Sequence, residues 1–202
     1  MTQDHLFRLM VIGIFASFAP MALYHRVRSH SKEPIDRRQE GAVMLFGLRL
    51  GALPGLLGSL AWMINPQWMA WSSVTTPIGM RWLGLCLLGL SGMLVVWTFR
   101  SLGDNLTDSV VIRKSHTLVV TGPYRFVRHP FYVAFLIAVI GGSLATTNWF
   151  LLLAGMVPFG FLVVRTRIEE KKLVERFGDD YRMYQEQTGQ FFPRWPRATS
   201  LV

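Results

Sequence analysis

The polar side chains able to do chemistry gather in two short blocks in the second half of a largely apolar, 202-residue sequence. The first block, residues 116–132, reads HTLVVTGPYRFVRHPFY and contains His129 between Arg128 and Pro130. Gly122-Pro123 is a turn pair. Pro130 suits the first position of a helix, where its missing N–H has no partner to lose. A residue before proline is biased toward extended backbone, which leaves the His129 imidazole just outside the helix start. On residue type alone His129 serves equally well as an interfacial histidine or as a site residue. The second block carries Arg165, Arg167, Glu169 and Glu170, followed by Leu173, Phe177-Gly178, Tyr181 and Tyr184. Arg165 and Glu169, four apart, share a helix face. As an exposed ion pair they would contribute only about 0.3–0.5 kcal/mol, and Tyr181 with Tyr184, three apart, could be no more than an interfacial stripe.

The elements that must hold these blocks are membrane spans. Hydrophobic residues make up 51% of the chain and charged residues 16%. The apolar residues form uninterrupted stretches about as long as the roughly 20 residues a helix needs to cross a bilayer core. Five spans are expected, at 6–24, 41–63, 79–99, 131–147 and 148–164, giving an all-α integral membrane protein. The last two nearly touch, and Ala145-Thr146-Thr147-Asn148 is the polar interruption that folds them into a helical hairpin.

The net charge of +9 is distributed as a membrane topology rather than as a nucleic-acid footprint. Basic residues follow spans 1, 3 and 5 (Arg26 to Arg38, Arg100 to Arg128, Arg165 to Arg197), whereas only Arg81 lies between spans 2 and 3. The positive-inside rule makes those three segments cytoplasmic and places the N-terminus outside and the C-terminus in the cytoplasm. Trp62, Trp68, Trp71, Trp82 and Trp149 cluster toward the opposite face as interfacial anchors. The first stretch has no Lys or Arg before it and reads as a span rather than a cleaved signal. Cys86, the single cysteine, excludes an internal disulfide and reads as a packing residue. Gly47 to Gly58 offers small residues for close helix contacts, while Arg49 in the same span is an intramembrane charge of the kind often functional, read here in preference as snorkelling or as paired inside the bundle.

The combination of HTLV, GPYRFVRHPFY before the hairpin and RTRIEEKKLVERFGDDYRMY after it resembles the cofactor half of isoprenylcysteine carboxyl methyltransferases and related integral membrane methyltransferases. The resemblance covers roughly residues 100–195. It implies a membrane scaffold over residues 1–99 and a cofactor-binding half over 100–202 within one structural domain, with a cytoplasmic pocket for S-adenosylmethionine. Carried over by position, His116, Thr117, Leu118, Val119 and Tyr124 line the cofactor cavity, His129, Pro130, Phe131 and Tyr132 form another wall, and Glu169 meets the polar end of the cofactor. Arg165 takes the substrate, so that Arg165, Glu169 and His129 form the catalytic set. The number of spans fits a short, bacterial or archaeal-type member, with an inner-membrane location.

The implied chemistry is coherent. A cationic cofactor suits a partly desolvated carboxylate, aromatic faces suit its adenine or its cationic end, and a guanidinium suits an acceptor carboxylate. An acceptor carboxylate is already ionised near neutral pH and needs positioning more than a base. The expected acceptor is a lipophilic small molecule, a lipid or a prenylated group, methylated at a carboxyl oxygen. An amine or thiol acceptor stays open, the amine requiring a proton acceptor such as His129 or Glu170. An NADPH-dependent membrane reductase of related architecture and a non-catalytic lipid-binding protein are the remaining alternatives. No metal is expected, because His116 and His129 lack further ligands at a recognisable spacing.

Overall fold

The computed structural model describes residues 3–30, 42–103 and 117–194, and their regular structure is helical throughout. The helices are α1 (Gln3–His30), α2 (Ala42–Ile64), α3 (Ile78–Leu102), α4 (Pro130–Thr146), α5 (Trp149–Phe177) and α6 (Asp179–Gln187). The first, second, third and fifth are long and apolar enough to cross a membrane; α4, equally apolar, is shorter at 17 residues. These elements match the expected spans to within a few residues except at two ends. The first helix runs on to His30, and the fifth continues unbroken through the charged block to Phe177. His116, Lys32, Arg37, Arg38, Arg113 and Lys114 lie outside the described residues.

Two glycine contacts set the helix spacing. Along α2, Gly47, Gly51, Gly55 and Gly58 face Phe161, Val157, Ala154 and Leu151 of α5. Between α3 and α4 the approach is closer still, since a Cβ built on Gly84 would lie 2.7 Å from the Gly141 carbonyl oxygen. Such close approach brings backbones together where the bilayer supplies no hydrophobic drive between helices.

The end of the bundle that holds the N-terminus is tied by polar groups capping helix ends. Arg8 donates to the carbonyls of Met63 and Ile64 at the end of α2. Buried Arg81 pairs with Asp4 at 2.7 Å and donates to Ala145 at the end of α4, with its guanidinium over the Phe7 ring. The hairpin turns as expected: Thr147 is left-handed at φ 53°, and the Asn148 side chain accepts from Leu151 N while donating to Met69 O and Ser72 Oγ. That single amide satisfies the start of α5 and anchors the 3-10 turn Pro66–Ser72.

Two expectations are corrected here. Trp62 is 5% exposed and belongs to the core with Phe7, Val11 and Leu151, so it is not an interfacial anchor, whereas Trp68, Trp71, Trp82 and Trp149 do face outward. Cys86 is exposed on the outer face of α3 rather than packed inside the bundle. Arg49 also faces outward, in keeping with snorkelling.

Candidate active site

The start of α4, the charged half of α5 and the segment around α6 meet at the end of the bundle opposite the N-terminus. The approach to α4 is built as its sequence dictates. Gly122, at φ 63°, adopts the left-handed conformation that opens the short 3-10 turn Gly122–Arg125. Pro130 occupies the first turn of α4, with His129 in a non-helical conformation before it. The imidazole therefore sits beside the helix start, 8% exposed.

On α5, Glu169 and Glu170 present their carboxylates to opposite sides of that ring. Glu169 Oε1 accepts from Tyr132 Oη at 2.7 Å and from Arg165 Nε at 2.9 Å, and its Oε2 lies 3.5 Å from His129 Nδ1. Glu170 Oε1 lies 3.1 Å from His129 Nε2. The Tyr132 ring stacks on the imidazole, with centroids 5.4 Å apart and planes at 7°. The expected residues Arg165, Glu169, His129 and Tyr132 thus form one contiguous cluster. The Arg165–Glu169 pair is no exposed surface pair: Arg165 is 8% exposed, so removing either partner would strand a desolvated charge.

The other expected residues divide. Pro130 is buried at the helix start. Phe131 stacks on Phe99 of α3 at 5.6 Å, and its edge meets Tyr132. Tyr124 is held by its backbone, whose carbonyl accepts from Tyr184 Oη at 2.6 Å. Thr117, Leu118 and Val119 run as coil toward the turn, Thr117 exposed and the other two half-buried.

Several residues of the cluster were not legible in the sequence. Gly178, at φ 57°, ends α5 and lets α6 fold back, which buries Tyr181 and Tyr184 instead of leaving them as a surface stripe. Burial pushes the phenols of Tyr124, Tyr181 and Tyr184 well above the ordinary tyrosine range, so they remain hydroxyl donors. Beyond α6 the chain returns over the first block: Val127 and Gly189 form a parallel bridge, and the N–H groups of Arg128 and His129 donate to the carbonyls of Gly189 and Gln190 at 2.9 and 3.1 Å. Phe191 covers the imidazole at 5.9 Å. Residue types offer no signal for this strap, because TGQF has neither periodicity nor ionisable groups.

Among the described residues no group of His, Cys, Asp and Glu is arranged to hold a metal ion. The donor set suits an organic cation instead. Glu169 is partly desolvated, at 19% side-chain exposure, and lies beside a stacked aromatic pair, which is the environment in which a carboxylate and a π-face attract a positive charge most strongly.

The chain is similar to known membrane methyltransferases. The chain is 38% identical over 84 residues to the protein-S-isoprenylcysteine O-methyltransferase of Schizosaccharomyces pombe, covering 41% of this chain and 36% of that protein. It is 35% identical over 75 residues to methanethiol S-methyltransferase 1 of Bradyrhizobium diazoefficiens, covering 37% and 25%. The matches therefore span between a quarter and about a third of these relatives' lengths. The solved structure of the eukaryotic intramembrane Ras methyltransferase, isoprenylcysteine carboxyl methyltransferase, superposes with a TM-score of 0.55 at 23% identity, covering 90% of this chain and 67% of that one, and shares its fold. The phospholipid methyltransferase family model matches residues 80–180, half of the 202 residues, from α3 through both polar blocks to the start of α6. A multi-pass helical bundle with that match over half of its sequence belongs to the phospholipid methyltransferase family.

Proposed function

We propose that the chain transfers a methyl group from S-adenosylmethionine to a lipophilic acceptor at the membrane surface, and that the atom methylated is a carboxylate oxygen. The observation that carries this reading is the Arg165–Glu169–Tyr132–His129 cluster at the polar end of apolar helices. When bound, the cofactor supplies an electrophilic methyl group on a sulfonium. Glu169, oriented by Tyr132 and Arg165, meets the cationic end of the cofactor. The stacked His129 and Tyr132 rings wall the site and exclude water. Arg165, held at Nε by Glu169, is oriented to position an anionic acceptor by charge-assisted hydrogen bonds.

The acceptor chemistry follows from which groups are occupied. Both carboxylates already take several donors, and both nitrogens of His129 face carboxylate oxygens. A site whose candidate bases are already paired with donors favours an acceptor that arrives with its electron pair available. A carboxylate does so near neutral pH, and an alkylammonium does not. A thiolate would also meet that condition, which keeps S-methylation as the second reading in view of the methanethiol methyltransferase relative. In this reading α4 completes five crossings, and the basic, site-bearing end faces the cytoplasm.

Methyl transfer from radiolabelled S-adenosylmethionine to membrane lipid extracts and prenyl-cysteine analogues, catalysed by detergent-purified protein, tests the proposal. Label released as volatile methanol by alkali identifies a carboxyl methyl ester. Label stable to alkali moves the acceptor to sulfur or nitrogen. Failure of folded protein to bind S-adenosylmethionine or S-adenosylhomocysteine, with protection by NADPH instead, would overturn methyl transfer altogether.

A further inference from the structure

Glu170 gathers more donors than any reaction step requires. Its Oε1 accepts from Arg128 Nε at 2.9 Å and from Gln190 Nε2 at 3.4 Å, in addition to facing His129 Nε2 at 3.1 Å. Its Oε2 accepts from Gln185 Nε2 at 3.0 Å. A carboxylate offers about four acceptor positions, two on each oxygen; three of these groups converge on Oε1 and one meets Oε2.

The donors come from three places. Arg128 and His129 precede α4, Gln185 lies in α6, and Gln190 lies in the strap that crosses the imidazole. Arg128 reinforces the same connection, since its guanidinium also donates to the carbonyls of Gln185 and Thr188. Gln190 in turn donates to Thr166 Oγ1 on α5 at 3.0 Å. The strap TGQF carries no ionisable group of its own; its ties run through Arg128, Glu170 and Thr166 and through the backbone and ring of His129.

We propose that Glu170 is a positioning residue that fastens the strap over His129, so that strap and imidazole move as one unit and hold the cofactor side of the site in register. It acts through His129 and does not itself exchange a proton with the acceptor. The cofactor side of this inference rests on the methyltransferase reading above; the fastening of the strap does not.

The test uses the full chain in detergent, with S-adenosylhomocysteine as the probe and two readouts. Amide hydrogen exchange over residues 188–191 reports the strap, and calorimetry reports the dissociation constant. Glu170→Gln puts an amide donor among donors and is expected to speed strap exchange and weaken S-adenosylhomocysteine binding, each roughly tenfold or more. Glu170→Asp, which keeps the charge, should recover part of both. Gln190→Ala, which removes the strap's side-chain ties to Glu170 and Thr166 and leaves the carboxylate in place, should move both in the same direction by less, and it decides the matter if the Glu170 variants fail to fold. Turnover lost in Glu170→Gln with strap exchange unchanged would make Glu170 an acid–base group and overturn the proposal. Faster exchange with unchanged affinity would overturn it too, reducing the strap to packing. If wild-type protein binds no S-adenosylhomocysteine, the methyltransferase reading falls, while the exchange measurements still decide whether Glu170 holds the strap.

Discussion

The two ends of the bundle are held together by different means. At the N-terminal end, polar side chains cap helix termini: Arg8 and Arg81 meet carbonyls at the ends of α2 and α4, and Asn148 serves both the start of α5 and the neighbouring 3-10 turn. Each group completes a backbone need that a bilayer would not meet. At the opposite end the polar side chains bond mainly to one another, with Glu169 and Glu170 as hubs between three chain segments. The first arrangement fixes the helices. The second concentrates charge at the end proposed to bind the cofactor.

Substitutions should therefore separate into those that change binding and those that change folding. The largest effect is expected from Glu169→Ala, which strands Arg165 and removes the partner proposed for the cofactor's cationic end. Truncating one member of a buried, hydrogen-bonded charge pair costs about 2–5 kcal/mol, so calorimetry should find S-adenosylhomocysteine bound about a hundredfold or more weakly. Unchanged affinity would erase the distinction between the ends. Next comes Gly84→Val, whose side chain meets the backbone of α4. Overpacking of this kind costs about 1–3 kcal/mol, visible as a lowered thermal midpoint in detergent, and the protein that remains folded should bind ligand normally.

Asn148→Ala is expected to destabilise by about 1–2 kcal/mol through loss of the cap and its two donated bonds. A change in ligand affinity larger than its change in stability would show that the hairpin end communicates with the site. The smallest effect is expected from Cys86→Ser, within about 0.5 kcal/mol, because the side chain faces outward from α3. Rapid labelling of Cys86 by a lipid-soluble maleimide, alongside unaltered folding, would confirm that orientation.

Much of the scaffold was legible in the sequence because length and apolarity alone define a membrane helix. The hairpin boundaries at Thr146 and Trp149 followed from one polar interruption, and Pro130 marked the start of α4. Which way a side chain faces was not legible. In a helix apolar all round there is no amphipathic stripe to read, and for that reason Trp62 and Cys86 were each assigned to the wrong side. At the site, His129, Arg165 and Glu169 came from the family motif. Glu170 belonged to the same motif but was read as a candidate proton acceptor, and the glutamines were not singled out, since the contacts of all three depend on the chain reversing at Gly178 and returning beside Val127. A contact between residues some sixty positions apart, such as Tyr184 with the Tyr124 carbonyl, leaves no periodic trace.

The fifth helix carries its own further consequence. It runs 29 residues from Trp149 to Phe177, its apolar part and its acidic pair on one element with no loop between them. At about 1.5 Å per residue, Glu169 lies roughly 30 Å along the axis from Trp149, close to the thickness of a hydrocarbon core. The depth of the acidic pair is consequently tied to the bilayer itself, and lipids with longer acyl chains should draw it toward the hydrocarbon boundary while thinner ones lift it into the headgroups.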